Sequence, residues 1–125
     1  MRYSKQREEI LELVRNTQSH PTADWVYDQV RKTIPNVSLG TVYRNLGQLV
    51  ETKAVKALKY DGMVHYDGNM VEHQHFCCQV CGNIYDIDID VNSLLDQVVK
   101  HTRHQVTDYQ FHFVGVCNNC QHNIN

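Results

Sequence analysis

The fold class of this chain is decided by residues 54–68, AVKALKYDGMVHYDG. Asp61-Gly62 is a two-residue turn signal between runs of strand-forming residues, and this pattern predicts a β-hairpin. Three segments with apolar residues at helical spacing come before it. These segments are SKQREEILELVRN at 4–16, HPTADWVYDQVRKTIP at 20–35 and NVSLGTVYRNLGQLVET at 36–52. Three helices followed by a hairpin predict a winged helix-turn-helix.

Each predicted helix has a residue suited to cap its start: Ser4, Thr22 and Ser38. In the second helix, Trp25 is expected to turn inward together with Val26, Val30 and Ile34. In the third, the inward residues are expected to be Val42, Leu46, Leu49 and Val50.

The second half of the chain is predicted to be β-rich with one helix. NIYDIDID at 83–90 alternates, which places Ile87 and Ile89 on one strand face, and TDYQFHFVGV at 107–116 predicts another strand. Asn92 or Ser93 is expected to cap the helix between them. So small a unit buries little core, so metal binding and dimerisation are its expected supports. The predicted fold class is α+β, with an N-terminal winged helix-turn-helix domain and a small C-terminal α/β dimerisation domain.

Composition excludes several classes of protein. Of 125 residues, 42% are apolar and 21% charged, as in globular proteins, and no apolar run is long enough to cross a bilayer. The N-terminus lacks the apolar region of a signal peptide, so we expect a cytoplasmic protein without membrane partners. The net charge of −2 hides an excess of basic residues before residue 70 and of acidic residues after it, which suggests different partners for the two halves.

Two CxxC pairs, Cys78/Cys81 and Cys117/Cys120, stand in the second half. Such pairs place thiolates around one ion, and two of them form a closed sulfur site that suits structural zinc. The alternatives are a thiol redox pair or incidental cysteines, although a redox CxxC normally stands alone near a βαβ pattern. Cys77, the fifth cysteine, is expected to be a buried, inert side chain.

A second metal site is indicated by His73 and His75, which share one face of an extended segment. Nitrogen ligands combined with carboxylates favour Fe(II), Mn(II) or Zn(II), and Asp67 and Asp86 are the candidate carboxylates. The alternative is that these histidines belong to a solvated polar strand.

Four motifs occur in one order: HPTADWVYDQV at 20–30, PNVSLGTVYRNLGQL at 35–49, HQHFCCQVCG at 73–82 and GVCNNC at 115–120. Together they resemble the Fur family of metal-dependent repressors, and most closely its peroxide-sensing PerR branch. The resemblance implies homodimers that bind double-stranded operator DNA when a regulatory metal is present. It also implies a winged-helix domain over residues 1–66, a hinge over 67–72 and a metal-binding dimerisation domain over 73–125.

The resemblance assigns individual residues as well. It implies structural zinc on the four cysteines of the two pairs and regulatory Fe(II) or Mn(II) on five ligands: His20, Asp67, His73, His75 and Asp86. His20 enters only in this way, because its position alone indicates a loop residue before a helix cap. Iron-sensing relatives usually carry Glu at the position of Asp67. The shorter aspartate is similar to the peroxide-sensing pattern. In that branch peroxide reacts with bound iron and oxidises ligand histidines, which by position are His20 and His73.

The DNA-binding residues are expected at the start of the third helix, where side chains reach base edges and phosphates: Ser38, Thr41, Tyr43 and Arg44. The alternative is that TVYRNL is part of an ordinary amphipathic helix.

The sequence therefore predicts a metal-dependent repressor that senses peroxide through oxidation of ligand histidines. The nearest alternative is a Fur-type iron- or zinc-responsive repressor without peroxide chemistry. Two further alternatives are a thiol redox protein and a small zinc-binding interaction module. No arrangement of nucleophile, base and orienting group is evident, so we expect no enzymatic turnover.

Overall fold

The computed structural model describes residues 4–70, 73–109 and 112–123. The chain divides into two compact units, Met1–Glu72 and His73–Asn125. Parts of the predictions lie outside the described residues: residues 1–3 and 124–125 of the expected domains, Val71 and Glu72 of the expected hinge, and Gln110 and Phe111 of the expected last strand.

The first unit contains three helices and a hairpin, in the order that the sequence predicts. The helices are α1 (Lys5–Arg15), α2 (Ala23–Val30) and α3 (Leu39–Glu51). The side chains of Ser4, Thr22 and Ser38 accept hydrogen bonds from backbone N–H groups three residues later, so all three predicted caps are confirmed. The buried faces of the three helices form one apolar core together with Val55. Its helical members include Ile10, Val14, Val26, Val30, Val42, Leu46 and Leu49.

Trp25 departs from the prediction, since it is 36% exposed. The buried residues of α2 are Ala23, Val26 and Val30, which follow one another at helical spacing. Trp25 lies about 100° around the helix from Val26, at the edge of this apolar stripe.

The hairpin pairs β1 (Lys56–Tyr60) with β2 (Met63–Asp67) in antiparallel register. Asp61 and Gly62, at its tip, both have positive φ, 54° and 77°. Positive φ at both central residues is what a type I′ turn needs, and it is the reason that Asp-Gly is favoured in such turns. The winged helix-turn-helix fold is therefore confirmed.

The second unit is built around a three-stranded sheet with the order β4-β3-β5. β3 (Gln74–Cys78) runs antiparallel to β4 (Ile84–Ile87) and parallel to β5 (Phe113–Gly115). β4 ends at Ile87 because its partner on β3, Gln74, is the first residue of that strand. Ile89 therefore lies beyond the strand and is 44% exposed, which corrects the longer strand predicted at 83–90.

Two helices complete this unit, α4 (Asn92–Thr102) and α5 (Asn118–Asn123), of which the sequence predicted only α4. α4 begins without a side-chain cap, contrary to the expectation for Asn92 or Ser93. Instead, Asp90 accepts a hydrogen bond from the N–H of Asn92 at 2.9 Å. No residue of α4 is buried, and Leu94, Val98 and Val99 are 40–50% exposed. Among the described residues, no helix has the length and apolar character needed to span a bilayer.

Candidate metal centres

Four cysteine sulfurs converge in the second unit. The Sγ atoms of Cys78, Cys81, Cys117 and Cys120 all lie within 4.8 Å of one another, and those of Cys81 and Cys117 are 3.9 Å apart. Sulfur ligands about 2.3 Å from a tetrahedral zinc ion lie about 3.8 Å from each other. The arrangement therefore fits the zinc site that the spacing predicted.

The sheet and one turn bring these cysteines together. Cys78 ends β3 and is the register partner of Gly115 on β5, so Cys117 follows just beyond the paired strands. Gly82, with φ of 76°, lets the chain reverse after Cys81 and donates its N–H to the carbonyl of Cys78 at 3.0 Å. Cys120 is carried on α5, the short helix that the sequence did not predict.

Hydrogen bonds favour the charged form of two of these cysteines. Sγ of Cys78 accepts backbone N–H groups from Cys117, Cys81 and Val80 at 3.3, 3.5 and 3.4 Å. These bonds, that from Cys117 first, lower the pKa of Cys78 to about 6. The pKa of Cys117 is lowered chiefly because the hydroxyl of Tyr85 donates to its sulfur. Thiolates are the form that binds metal, so the local structure prepares these sulfurs as ligands.

Cys120 differs from the other two, because its interaction with the Cys117 sulfur raises its pKa to about 12. The raised pKa means that the sulfur of Cys120 holds its proton until a metal ion displaces it. A zinc ion replaces that proton as the positive charge among the sulfurs.

Cys77 lies outside the cluster. Its side chain is fully buried, and burial raises the pKa of its thiol. It pairs with Ile84 on one side and Val114 on the other, in the middle of the sheet. The prediction that Cys77 is a buried side chain is confirmed.

A second group of ligand atoms lies at the other end of β3. Nε2 of His73 is 3.0 Å from Nε2 of His75 and 3.0 Å from Oδ1 of Asp86, and His75 is 3.5 Å from the same oxygen. His75 and Asp86 are register partners on β3 and β4. Nitrogen ligands about 2.1 Å from an ion and at right angles to each other lie about 3.0 Å apart. These three side chains therefore fit three adjacent positions around one metal ion.

The remaining two predicted ligands, His20 and Asp67, meet in the first unit. Nε2 of His20 is 3.3 Å from Oδ2 of Asp67, and both side chains are more than nine-tenths buried. Oδ1 of Asp67 accepts the N–H of Asn69 at 2.9 Å, which fixes the carboxylate plane. A histidine and a carboxylate with one oxygen already oriented can serve as two ligands of a metal.

Contacts that the sequence did not reveal hold this pair. His20 has φ of 54°, and its carbonyl is 2.8 Å from Nδ1 of His65. Tyr66 donates its N–H to the carbonyl of Pro21 at 2.8 Å, so the loop before α2 is bonded to β2. A Cβ at Gly68 would lie 2.7 Å from Cα of Arg15, so only glycine allows this approach to α1. No spacing rule connects His20 with Asp67. The glycine directly after Asp67, Gly68, was a sequence signal that the backbone comes close to another element there.

The predicted DNA-binding residues share the first turns of α3. Oγ of Ser38 accepts the N–H of Thr41 at 3.1 Å, and Arg44 donates to the hydroxyl of Thr41 at 3.1 Å. Tyr43 is 50% exposed, and Arg44 and Ser38 are exposed as well. This end of the helix therefore offers a hydroxyl, a phenol and a guanidinium to solvent.

The two neighbouring cysteines give a matched test of the sulfur site. In Cys78→Ala we expect the chain to lose stoichiometric zinc, because three ligands no longer close a tetrahedral site. In Cys77→Ala we expect zinc to remain and the free energy of unfolding to fall by about 1 kcal/mol through the small cavity. Elemental analysis of the purified proteins measures the zinc content. Equal zinc contents in the two variants would contradict the assignment.

Comparison with known proteins agrees with these features. The sequence model of the Ferric uptake regulator family matches residues 1–114. The peroxide-responsive repressor PerR of Staphylococcus aureus is 33% identical over 123 residues, which cover 97% of this chain and 83% of that protein.

Two solved structures share the fold over nearly the whole chain. The ferric uptake regulator of Francisella tularensis with iron has a TM-score of 0.83 at 25% identity, covering 97% of this chain and 95% of that one. PerR of Streptococcus pyogenes has a TM-score of 0.53 at 32% identity, covering 97% and 84%. The family match and the PerR relative together show that this chain belongs to the ferric uptake regulator (Fur) family.

Proposed function

We propose that this chain is a metal-dependent, DNA-binding repressor that senses peroxide through oxidation of ligand histidines. The observation that carries the proposal is the convergence of His73, His75 and Asp86 on one point, where two imidazoles and a carboxylate offer lone pairs to the same ion. The relatives named PerR support the peroxide response.

In this proposal one Fe(II) or Mn(II) ion takes all five ligands. His20 and Asp67 come from the first unit, and His73, His75 and Asp86 come from the second. An ion with ligands from both units favours the arrangement of the units that satisfies all of its bonds. Metal binding then selects a DNA-competent conformation, because a ligand shifts a conformational equilibrium by its differential affinity.

Asp67 favours peroxide sensing over simple iron sensing. Its carboxylate accepts the N–H of Asn69 and faces His20. A single methylene joins this carboxylate to the backbone and limits how far its oxygens extend. A glutamate would carry its oxygens further from the backbone and change how they meet the ion. The short aspartate is the pattern that resembles the peroxide-sensing branch.

The chemistry needs an imidazole beside a redox-active ion, and His20 and His73 are the proposed targets. A bound Fe(II) would activate peroxide by transient electron transfer, which Zn(II) cannot do. Overall, an imidazole C–H gains one oxygen atom and peroxide leaves as water. An oxidised imidazole is a poorer ligand, so the link between the two units weakens and the repressor leaves its DNA.

Structural zinc is proposed for Cys78, Cys81, Cys117 and Cys120. The zinc would bind β3, the turn after it and α5 to one another, and so support a sheet whose strands have only three to five residues. Because a closed sulfur site keeps no open position, this metal is structural and the other is the sensor.

The proposed DNA contacts are Ser38, Thr41, Tyr43 and Arg44. The guanidinium of Arg44 can bond guanine or a phosphate, and the exposed ring of Tyr43 can contact a thymine methyl. The two half-sites of a two-fold operator would be read by two copies of the chain, which requires a dimer.

The proposed dimer interface includes α4. Leu94, Val98 and Val99 are 40–50% exposed, and none of the helix is buried within the chain. An amphipathic helix with an uncovered apolar face gains stability when a second copy covers it.

The alternative is a Fur-type iron- or zinc-responsive repressor without peroxide chemistry, which the likeness to the iron-containing Francisella regulator supports. The two differ in what peroxide does to the iron-loaded protein.

Peroxide treatment of the Fe(II)-loaded protein tests the sensing step. We expect one added oxygen on the peptide with His20 or His73, and a loss of affinity of about 5- to 150-fold for a duplex selected by the metal-loaded protein. Peptide mass spectrometry and gel-shift titration measure the two effects. The Mn(II)-loaded protein is the control and should keep its mass and its affinity.

The variant Asp67→Glu separates the two candidate functions. Under the proposed function it binds metal but loses much of its peroxide response. If wild-type protein with Fe(II) keeps both histidines unmodified and its DNA affinity intact, the Fur-type alternative is correct.

Arg44→Ala tests the DNA face. We expect it to weaken binding to the selected duplex by about 1–3 kcal/mol, because a contact to a base edge or phosphate is lost. Lys32→Ala, which removes an exposed cation just after α2, is the control and should bind normally. Fluorescence anisotropy at fixed salt concentration measures both, and equal affinities would remove Arg44 from the interface.

Val98→Asp tests the dimer. A carboxylate placed in an apolar interface must be desolvated, so we expect the variant to become monomeric at concentrations where the wild type is dimeric. Gln97→Asp adds the same group on a neighbouring, polar position and should leave the dimer intact. Sedimentation equilibrium of zinc-loaded protein gives the mass, and a dimeric Val98→Asp would exclude α4 from the interface.

A further inference from the structure

Tyr85 contacts the cysteine cluster without belonging to it. Its hydroxyl donates a hydrogen bond to Sγ of Cys117, at a distance of 3.5 Å. Tyr85 lies on β4 opposite Phe76 of β3, so the sheet fixes the position of the ring. The neighbouring residue in sequence, Asp86, is one of the proposed ligands of the other metal.

A second hydrogen bond orients the phenol. Nδ2 of Asn83 donates to the hydroxyl oxygen of Tyr85 at 3.5 Å. Because an amide nitrogen only donates, the phenol oxygen accepts this bond and its own proton is left to point at the sulfur. Asn83 and Tyr85 therefore form a short relay that ends on Cys117.

The phenol also lies where small reagents approach the sulfur. A cavity of about 420 Å³ is lined by Phe76, Tyr85, Ile87 and Cys117, and also by Asn118 and Gln121. Cys117 itself is only 6% exposed. The cavity is large enough for peroxide or a small electrophile, and Cys117 and Tyr85 both line it, so a reagent that enters it meets the sulfur beside the hydroxyl that is bonded to it.

We infer that Tyr85 is a positioning residue that protects the zinc-bound thiolate of Cys117 from oxidants and electrophiles. The inference rests on the zinc site given under the proposed function. A hydrogen bond to a thiolate withdraws electron density from the sulfur and makes it a poorer nucleophile. A protein that senses peroxide through its histidines gains from such protection, because its structural zinc then stays bound while the histidines are oxidised.

The reaction that Tyr85 slows is ordinary thiolate oxidation. The sulfur lone pair attacks one oxygen of peroxide, the O–O bond breaks, and hydroxide leaves and takes up a proton as water. The sulfur loses two electrons, which peroxide gains, and becomes a sulfenic acid that holds zinc poorly.

Zinc release from the full-length, iron-free protein tests the inference. With peroxide present and a chromogenic chelator reporting free zinc, we expect Tyr85→Phe to release zinc about three- to tenfold faster than the wild type, in line with the loss of one ordinary hydrogen bond. Asn83→Ala, which removes only the orienting bond, should give a smaller acceleration. Tyr27→Phe, a matched change on α2, should release zinc at the wild-type rate.

Cobalt substitution separates protection from a general loss of structure. In the Co(II)-loaded protein, we expect the sulfur-to-metal charge-transfer band to shift in Tyr85→Phe and not in Tyr27→Phe, because only the former changes the electron density on a ligand. Equal release rates and an unshifted band would overturn the role of Tyr85 while leaving the zinc site intact. A wild-type protein that binds neither zinc nor cobalt would overturn the zinc assignment and this inference together.

Discussion

The second unit depends on one requirement, that four sulfurs from two separate segments, 78–81 and 117–120, share one small volume. Its strands are three to five residues long, and α4 buries none of its residues within the chain. So little apolar burial leaves a small margin over the entropy of ordering the chain. A metal that binds the folded arrangement adds its binding free energy to the stability of the fold, so ligand geometry and folding are one problem in this unit.

The first unit holds together two of the proposed ligands, which lie far apart in sequence. Its apolar core orders three helices, and the hairpin is then joined to the loop before α2 by the bond from Tyr66 to Pro21. His20 and Asp67 meet because of this connection and because Gly68 lets β2 end against α1. The same scaffold that presents Arg44 to solvent thus also places two of the five proposed ligands of the regulatory metal.

Local patterns predicted what local physics determines. The three caps, the Asp-Gly turn and the two CxxC pairs each depend on residues within a few positions, and the structure agrees with them. The predictions for Trp25 and Ile89 were wrong because burial depends on what lies opposite a side chain. Trp25 lies at the edge of the apolar stripe of its helix, and Ile89 lies beyond the end of the partner strand. His20 followed only from family resemblance, since a loop histidine gains meaning from a carboxylate 47 positions away.

In the proposed function, the two candidate metal centres have different roles because their ligand types differ. Four thiolates close a tetrahedral site and hold a soft or borderline ion firmly, so that metal suits a permanent structural role. Imidazoles and carboxylates bind Fe(II) or Mn(II) less tightly and leave a position open, so that metal can exchange and react. Both groups of ligands start from β3, with Cys78 at one end and His75 near the other. In the proposed function, strand β3 keeps its shape through the sulfur site, while His75 and the preceding His73 bind the metal that exchanges.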